Sequence, residues 1–398
     1  MALRAPAWQV TQRLWRHAGR ADLIGITDFD LTRTEKIIEK CLSLAGLARF
    51  TSSPNPRVGC FIASLEESCV GQGHTQQAGS PHAEIMALRD AAWRGNAVKG
   101  ATAYVTLEPC SHHGRTGPCC DALIAAGIKK VVVAIKDPNP LVSGQGIARL
   151  RAAGIEVEVG PGAAESRELN IGFFSRMIRK TPWVRMKIAA SLDGTTALAN
   201  GQSQWITSQK ARADGHAWRA RSCAVLTGIG TVLQDNPRLD VRLVETPRQP
   251  HLVIVDSRLD TPLDAYLFIA GRALFIYAAV QNDAKKAALK ARGATVIYMP
   301  DANGKVDLAA MMKDLAKREI NELHVEAGSK LNGSLIRAGL VDEFLIYMAP
   351  KLLGPGQGMA AFGPLQQLSE AVGLQFLSAD RIGSDLRVIA RGTGRDQF

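Results

Sequence analysis

His82, Glu84, Cys110 and Cys119 constrain this chain more than any other residues do. They stand in Pro81-His82-Ala83-Glu84 and in Glu108-Pro109-Cys110…Pro118-Cys119, so separate segments must fold back to one point if they act together. One imidazole and two thiolates make a three-ligand set suited to a catalytic zinc, whose fourth position stays open for water. Glu84, two residues after the histidine, is badly placed to bind the same ion but well placed to carry protons beside it.

Geometry limits where such a centre can lie. Positions i and i+2 of a helix face roughly opposite sides. His82 and Glu84 therefore meet one ion only off a helix N-terminus, and Ser80-Pro81-His82 reads as such a start. Cys110 follows an expected strand, Thr102–Leu107, across Pro109, and Cys119 opens the next helix behind Pro118. A thiol at a helix N-terminus, facing a cation, is readily held as thiolate. Two helix starts and a strand end thus converge at one rim of a sheet, where open α/β sheets bind ligands.

The wider pattern supports such a sheet. Ile37, Ile38, Cys41, Leu42 and Ala45 recur at helical spacing. Strands are expected at Val58–Ala63, Thr102–Leu107, Val131–Ile135 and Ile155–Val159, with helices at Pro81–Arg94, Cys119–Ala126 and Gln145–Ala153. This alternation predicts an α/β domain with a mainly parallel central sheet. A basic stretch (Arg176, Arg179, Lys180) meets Pro182 and places a domain boundary around Ser175–Pro182. Beyond it, Val184–Ala189, Ala224–Thr227, Leu252–Val255, Ala273–Tyr277, Thr295–Met299, Leu323–Glu326 and Phe344–Met348 read as strands. Helices are expected near Ser208–Ala220, Asp283–Ala291, Leu308–Arg318 and Leu331–Ala338.

At 398 residues the chain exceeds one ordinary core, and its 46% hydrophobic and 21% charged residues are globular in proportion. No apolar run is long enough to span a bilayer. Seven cysteines, with three at positions 110, 119 and 120, point to a metal site in a reducing, cytoplasmic compartment rather than to a disulfide framework. The net charge of +11 comes from scattered Lys and Arg without a long run, so it suits a phosphorylated small molecule as well as a nucleic acid. Residues 1–30 stand apart. Arg4, Arg13, Arg16 and Arg20 without an acid before Asp22 resemble a transit peptide superficially, but serine enrichment is missing. An added arm or, in preference, a start codon placed too early is expected there.

Three ligands plus a free carboxylate are the equipment of zinc deaminases of nucleobase rings. In these an activated water adds to the amine-bearing carbon and the Glu passes its proton to the leaving ammonia. A structural zinc would need a fourth protein ligand, which His112, His113 or Cys120 could provide, but it has no use for Glu84. The common deaminase signature has two residues between its cysteines. Here Ser111-His112-His113-Gly114-Arg115-Thr116-Gly117-Pro118 intervenes, which disfavours a generic cytidine deaminase and offers substrate contacts.

Further strings carry a resemblance. Ser53-Pro54-Asn55-Pro56-Arg57-Val58-Gly59-Cys60, Thr106-Leu107-Glu108-Pro109-Cys110-Ser111-His112-His113-Gly114-Arg115-Thr116 and Asp137-Pro138-Asn139-Pro140 resemble the bacterial bifunctional riboflavin-biosynthesis deaminase/reductase family. So do Ala190-Ser191-Leu192-Asp193-Gly194, Ser203-Gln204-Trp205-Ile206-Thr207, Val325-Glu326-Ala327-Gly328 and Ala349-Pro350-Lys351-Leu352-Leu353-Gly354. The likeness runs from about Asp30 to the C-terminus. It implies an N-terminal cytidine-deaminase-like three-layer α/β/α domain over 31–178 and a C-terminal dihydrofolate-reductase-like α/β domain over 183–396. It also implies zinc on His82, Cys110 and Cys119, with Glu84 catalytic. The family deaminates 2,5-diamino-6-(5-phosphoribosylamino)pyrimidin-4-one, then reduces its ribosyl chain to ribityl with NADPH.

Without the resemblance, the second half reads only as an α/β domain for a phosphorylated ligand. Thr227-Gly228-Ile229-Gly230-Thr231 follows a strand, yet Leu233 stands where a dinucleotide fingerprint has its third glycine. Glu326–Ser334 reads as a strand end and a glycine-bearing loop entering a helix, whose amides suit a phosphate. Similarity assigns Ala189, Trp205, Thr231, Asp235, Ser257 and the loop Gly328, Ser329, Lys330, Leu331, Asn332, Gly333, Ser334 to the cofactor. It assigns Asn55, Ser203, Arg219, Leu239, Arg242 and Glu326 to substrate, with Arg219 and Arg242 clamping the sugar phosphate. Taken alone, Trp205 reads as core and the two arginines as solvated charges. A small phosphorylated pyrimidine, no nucleic acid, no membrane and a homo-oligomer (dimer or tetramer) are the expected partners. The rival readings are a nucleic-acid (tRNA) base deaminase with an accessory domain, and a zinc-stabilised assembly protein in which Glu84 is idle.

Overall fold

Alternating apolar side chains on short strands build two sheets of unlike construction. The computed structural model describes residues 32–66, 68–112, 117–140 and 142–398, so the expectations for residues 1–30 and for His113, Arg115 and Thr116 fall outside the described residues. The first sheet comprises β1 (Gly59–Ala63), β2 (Cys69–His74), β3 (Thr102–Val105), β4 (Lys130–Val133) and β5 (Glu156–Val159), in the order β2-β1-β3-β4-β5. Cys60, Ile62, Ala103, Val105, Val131 and Val133 pack against Ala83, Ala87, Ala91 and Leu123 of the helices Ala83–Trp93 and Cys119–Ala125. Their neighbours Phe61, Tyr104 and Val132 meet Ile37, Ile38, Cys41 and Leu42 of the helix Arg33–Leu47 on the other face. The period of two thus produces the expected three layers.

Local chemistry fixes these helices. Thr32 and Glu35 form a capping box that starts Arg33–Leu47. Gly73 on β2 lets the helix Ala83–Trp93 lie directly on the strand, since a Cβ there would come within 2.5 Å of the Ala87 nitrogen. The sheet is mixed rather than mainly parallel: β1 runs antiparallel to β2 and β3, whereas β3–β4 and β4–β5 are parallel. β2 is the reason. Its glycines at 71 and 73 conceal a strand that pairs with β1 as a hairpin.

The helices Ala163–Leu169 and Ile171–Arg179 lead to Lys180, which takes a left-handed conformation (φ 59°), and then to the second sheet. Its strands are β6 (Trp183–Ser191), β8 (Ala224–Gly228), β9 (His251–Val255), β10 (Leu274–Ala278), β11 (Ala294–Tyr298), β12 (Glu322–Val325), β13 (Glu343–Ala349), β15 (Leu374–Ile382) and β16 (Asp385–Gly392). The order is β11-β10-β9-β8-β12-β6-β13-β16-β15, and β7 (Thr195–Leu198) pairs separately with β14 (Gly356–Gly358). Pairing is parallel from β11 to β13, and the hairpin β15–β16 adds antiparallel strands at one edge. Val184, Met186, Leu226 and Val325 pack on Met311, Met312, Leu315 and Leu335, while Val225, Leu252, Ile254 and Ile276 pack on Val232 and Leu289. All seven strands expected in this half form, with ends shifted by at most two residues; β15 and β16, interrupted by polar residues, have no counterpart in the sequence reading.

A buried ionic chain ties the halves together. Glu322, at the start of β12, receives Arg57 (2.7 Å) from the first half and Arg185 (2.9 Å) and Arg221 (2.8 Å) from the second. Arg185 also pairs with Glu343, which pairs with Arg391 at 2.9 Å, which returns to Glu168 of the first half at 2.9 Å. Burial alone would raise the Glu322 pKa, but Arg221, Arg57 and Arg185 hold it well below its ordinary 4.5. A depressed carboxylate pKa gives stability that is complete above the unfolded value and lost as pH falls towards the folded one. Glu322→Gln leaves three arginines around a neutral amide and should cost about 3–5 kcal/mol. In paired chemical denaturation curves the gap to the parent should stay constant from about pH 8 to pH 5 and narrow only below that. A gap under about 1 kcal/mol, or one closing near neutrality, contradicts this account.

Candidate functional site

His82 is the N-cap of the helix Ala83–Trp93, with an extended backbone (φ −76°, ψ 169°), so the helix begins two residues later than Pro81. That shift solves the i, i+2 problem: the imidazole lies outside the helix while Glu84 projects from its first turn. Cys119 opens the helix Cys119–Ala125 directly after its N-cap, Pro118. The ligand atoms of His82, Cys110 and Cys119 all lie within 4.8 Å of one another, the sole such group among the described residues. His82 Nδ1 is 3.3 Å from Cys119 Sγ and 3.6 Å from Cys110 Sγ, and the Cys119 amide donates to Cys110 Sγ at 3.3 Å. Soft thiolates and one imidazole at this spacing fit a zinc ion.

The electrostatics are those of a site built for a cation. Cys110 is drawn down to about 4, first by its hydrogen bond from Cys119 and then by His82, while the Cys119 thiol moves up as the proton-bearing member of the pair. Burial pushes the Glu84 carboxyl up to about 7, with Cys110 adding to the shift and His82 opposing it. Cys120 is turned away, its thiol donating to the carbonyls of Pro109 (3.3 Å) and Gly146 (3.5 Å). It is no fourth ligand. His112 is exposed and stands outside the ligand group.

A brace behind the cysteines escaped the sequence reading. Glu108 is buried and accepts hydrogen bonds from the amides of Gly144 (2.9 Å), Ile147 (3.1 Å) and Asp137 (3.2 Å). Gly146 permits the approach, because a Cβ there would sit 2.0 Å from the Pro109 carbonyl oxygen. The loop bearing Cys110 is thereby fixed to the turn that carries Asp137 and Asn139. Only the recurrence of carboxylates inside the Glu108 and Asp137 strings could have signalled it. His82, Glu84, Cys110 and Asn55 line one cavity of about 330 Å³, together with Asp137, Asn139 and Arg176.

In the second half, residues expected to act together gather at the C-terminal edge of adjacent strands. Ala189 lies on β6, Thr231 follows β8, Ser257 follows β9, and Glu326 and Gly328 follow β12. Gly228 and Gly328 are N-caps without side-chain caps, so two helices present free amides side by side; Thr231 Oγ1 would lie 3.8 Å from a Cβ on Gly328. Thr227 Oγ1, buried at the end of β8, has no hydrogen-bond partner among the described residues. These features suit the phosphates of a dinucleotide. The supposed loop Gly328–Ser334 is mostly helix, however: Ser329–Arg337 is helical, and Asn332 and Gly333 are buried against the 359–361 segment. Trp205 is not core. It is 62% exposed, with the Arg212 guanidinium 4.4 Å from its ring centre, and Ser203 lies near it in the same loop. Asp235 is exposed at the end of its helix.

Arg219 is already engaged. It forms a two-point pair with Glu326 and donates to the Asp240 carbonyl at 3.0 Å. Arg242 pairs with Asp240 at 2.7 Å and keeps half its side chain exposed, while Leu239 between them is buried with a left-handed backbone (φ 49°). Lys187 (3.8 Å) and His324 (3.3 Å) also approach Glu326, and neither was singled out in the sequence. Their positions become meaningful only when β6 and β12 are seen to be neighbours.

Two known families match successive parts of the chain. The cytidine and deoxycytidylate deaminase zinc-binding region matches residues 31–135, and the RibD C-terminal domain matches residues 182–388. The riboflavin biosynthesis protein RibD of Escherichia coli (strain K12) is 45% identical over 366 residues, covering 88% of this chain and 97% of that protein. RibD of Aquifex aeolicus is 41% identical over 345 residues, covering 87% and 94%. Among solved structures, Acinetobacter baumannii RibD superposes with a TM-score of 0.82 at 37% identity, covering 90% of this chain and 99% of that one. A Thermotoga maritima diaminohydroxyphosphoribosylaminopyrimidine deaminase/5-amino-6-(5-phosphoribosylamino)uracil reductase gives a TM-score of 0.78 at 31% identity, covering 90% and 98%. Since the matches run through both halves in order and span nearly the whole of each relative, the chain belongs to the RibD family of bifunctional riboflavin-biosynthesis enzymes.

Proposed function

We propose that residues 31–178 deaminate 2,5-diamino-6-(5-phosphoribosylamino)pyrimidin-4(3H)-one and that residues 183–396 then reduce its ribosyl chain to give 5-amino-6-(5-phosphoribitylamino)uracil. The observation that carries the reading is the meeting of His82, Cys110 and Cys119 beside a buried, unliganded Glu84 in one cavity. His82, Cys110 and Cys119 would hold zinc, which supplies an activated water at neutral pH. Glu84 is the proton carrier. It takes a proton from the attacking water and gives it to the departing ammonia, and a carboxyl displaced towards neutrality by burial is suited to both transfers. Asn55, on the rim of the cavity, is the proposed contact to the pyrimidine.

In the second half NADPH would supply the hydride. Thr231, Ser257 and the amides at Gly228, Gly328, Ser329, Lys330 and Leu331 would hold its phosphates. Ala189, Trp205, Asp235, Asn332, Gly333 and Ser334 are the remaining proposed cofactor positions, with Asn332 and Gly333, packed against the 359–361 segment, acting through the placement of their helix. Ser203, Arg219, Leu239, Arg242 and Glu326 would position the sugar phosphate, with Arg242 the more available cation because Arg219 is shared with Glu326. Hydride transfer depends mainly on such positioning.

We assign the enzyme to the cytoplasm, in keeping with seven free cysteines; among the described residues no helix is long and apolar enough to cross a membrane. A homo-oligomer is supported by exposed Leu374 and Phe376 on the edge strand β15. The nucleic-acid deaminase reading is not favoured, since residues 182–388 match a reductase domain.

Glu84→Gln should lower ammonia release by about 10²–10⁴-fold while zinc content and NADPH-dependent reduction of supplied deaminated substrate stay at parent levels. Equal loss of both activities in a folded variant contradicts two separate sites. Stripping the metal with a chelator should likewise stop ammonia release and spare the reduction, and added zinc should restore it. Ammonia release that survives complete metal removal would overturn the assignment of the three ligands.

A further inference from the structure

The deaminase cavity does not belong to the first half alone. Phe173, Arg176 and Met177 of the joining helix Ile171–Arg179 line it, as does Glu319 from just before β12. Arg176 is the one Lys or Arg among the described residues of that lining. Three of the carboxylates around it are engaged elsewhere: Glu108 is bound by three amides, Glu84 stands beside the cysteines, and Asp137 accepts from the Asn139 amide at 2.7 Å; the exposed Glu319 acts on Arg176 through its charge without forming an ion pair. No ion pair joins Arg176 to any described carboxylate.

Arg176 is nevertheless held firmly. Its Nε donates to Asn321 Oδ1 at 2.5 Å, and its guanidinium lies 5.9 Å from the Phe173 ring centre. Asn321 in turn donates from Nδ2 to the Pro54 carbonyl at 2.8 Å, next to Asn55 on the cavity rim. Anchored at Nε, the guanidinium offers both terminal amino groups, which have no protein partner among the described residues and are not sealed from solvent. A guanidinium fixed at one edge and free at the other is a fork for the oxygens of a phosphate.

We infer that Arg176, oriented by Asn321 of the reductase half, binds the phosphate of the substrate in the deaminase cavity and makes the first reaction selective for the phosphorylated pyrimidine. The inference rests on the reading of this cavity as the deaminase site. Arg176 is then a specificity residue, remote from the proton transfers of Glu84. It also means that the reductase half shapes recognition in the deaminase half, through the residue that precedes its strand β12.

The test uses the full-length zinc-loaded enzyme, its Arg176→Gln and Arg176→Lys variants, and two substrates: the phosphoribosylamino-pyrimidine and the same compound without phosphate. For Arg176→Gln the KM of the phosphorylated substrate should rise about 10–100-fold with kcat within about twofold, since a charge-assisted pair is lost in binding only. The phosphate-free compound should be handled alike by parent and variant, and Arg176→Lys should recover part of the loss. Inorganic phosphate should compete with the phosphorylated substrate in the parent and do so less in Arg176→Gln. A KM that rises equally for both compounds assigns Arg176 a merely structural role and overturns the inference, as does an unchanged KM. If the parent releases ammonia from neither compound, the deaminase reading falls and takes this inference with it; if the parent releases ammonia but the phosphate makes no difference to the variants, only the inference falls.

Discussion

One carboxylate sets the relation between the two halves. Glu322 sits at the start of β12 with Arg57, Arg185 and Arg221 on its oxygens, and each of these groups is largely removed from water. Burying charge is costly, and such a cluster persists only because every oxygen is used. What it contributes is location. Arg57 follows directly on Asn55-Pro56, so the ion pair pins the rim of the first cavity to the second sheet. The return path through Arg391 and Glu168 makes the junction a closed ring rather than a hinge.

From that junction the two chemistries diverge along one strand. Just before β12, Asn321 holds Arg176 and the Pro54 carbonyl on the lining of the first cavity, and the strand's C-terminal end leads to Glu326, where Arg219, Lys187 and His324 gather. The five residue steps from Asn321 to Glu326 cover only about 17 Å of extended chain. The deaminase centre depends on element ends: a helix N-cap for the imidazole, a first turn for the carboxylate, another helix start for one thiol and a braced loop for the other. The proposed cofactor cleft of the second half has the same device twice, in the glycine-capped helices after β8 and β12. Free backbone amides at these ends supply directed positive potential without any charged side chain.

The first centre was legible because its residue types are rare and its local geometry is severe. A His, two Cys and a Glu near prolines leave few arrangements, and the need to place His82 off a helix end followed from helical geometry alone. The alternating strands of both halves were also legible from their apolar period. What stayed hidden depends on partners distant in sequence. Glu108 looks like any acid until the 144–147 turn closes on it. Arg176 read as part of a basic boundary, and only Asn321, far along the chain, shows why it is held. Glycines mask β2, and the helix expected near Leu331–Ala338 begins two residues earlier, at Ser329, with Gly333 serving close packing inside it.

Hydrolysis at the His82–Cys110–Cys119 cluster and hydride transfer at a separate site of the same chain would leave distinct products. The most direct measurement is the mass of the products formed from the phosphorylated diaminopyrimidine. Without NADPH the account requires a product about one mass unit heavier, as an amino group is replaced by oxygen, together with released ammonia. With NADPH it requires a further gain of about two units, as two hydrogens are added. An unchanged substrate mass in both incubations, or reduction of the ribosyl chain with the amino group retained and no ammonia formed, would contradict it.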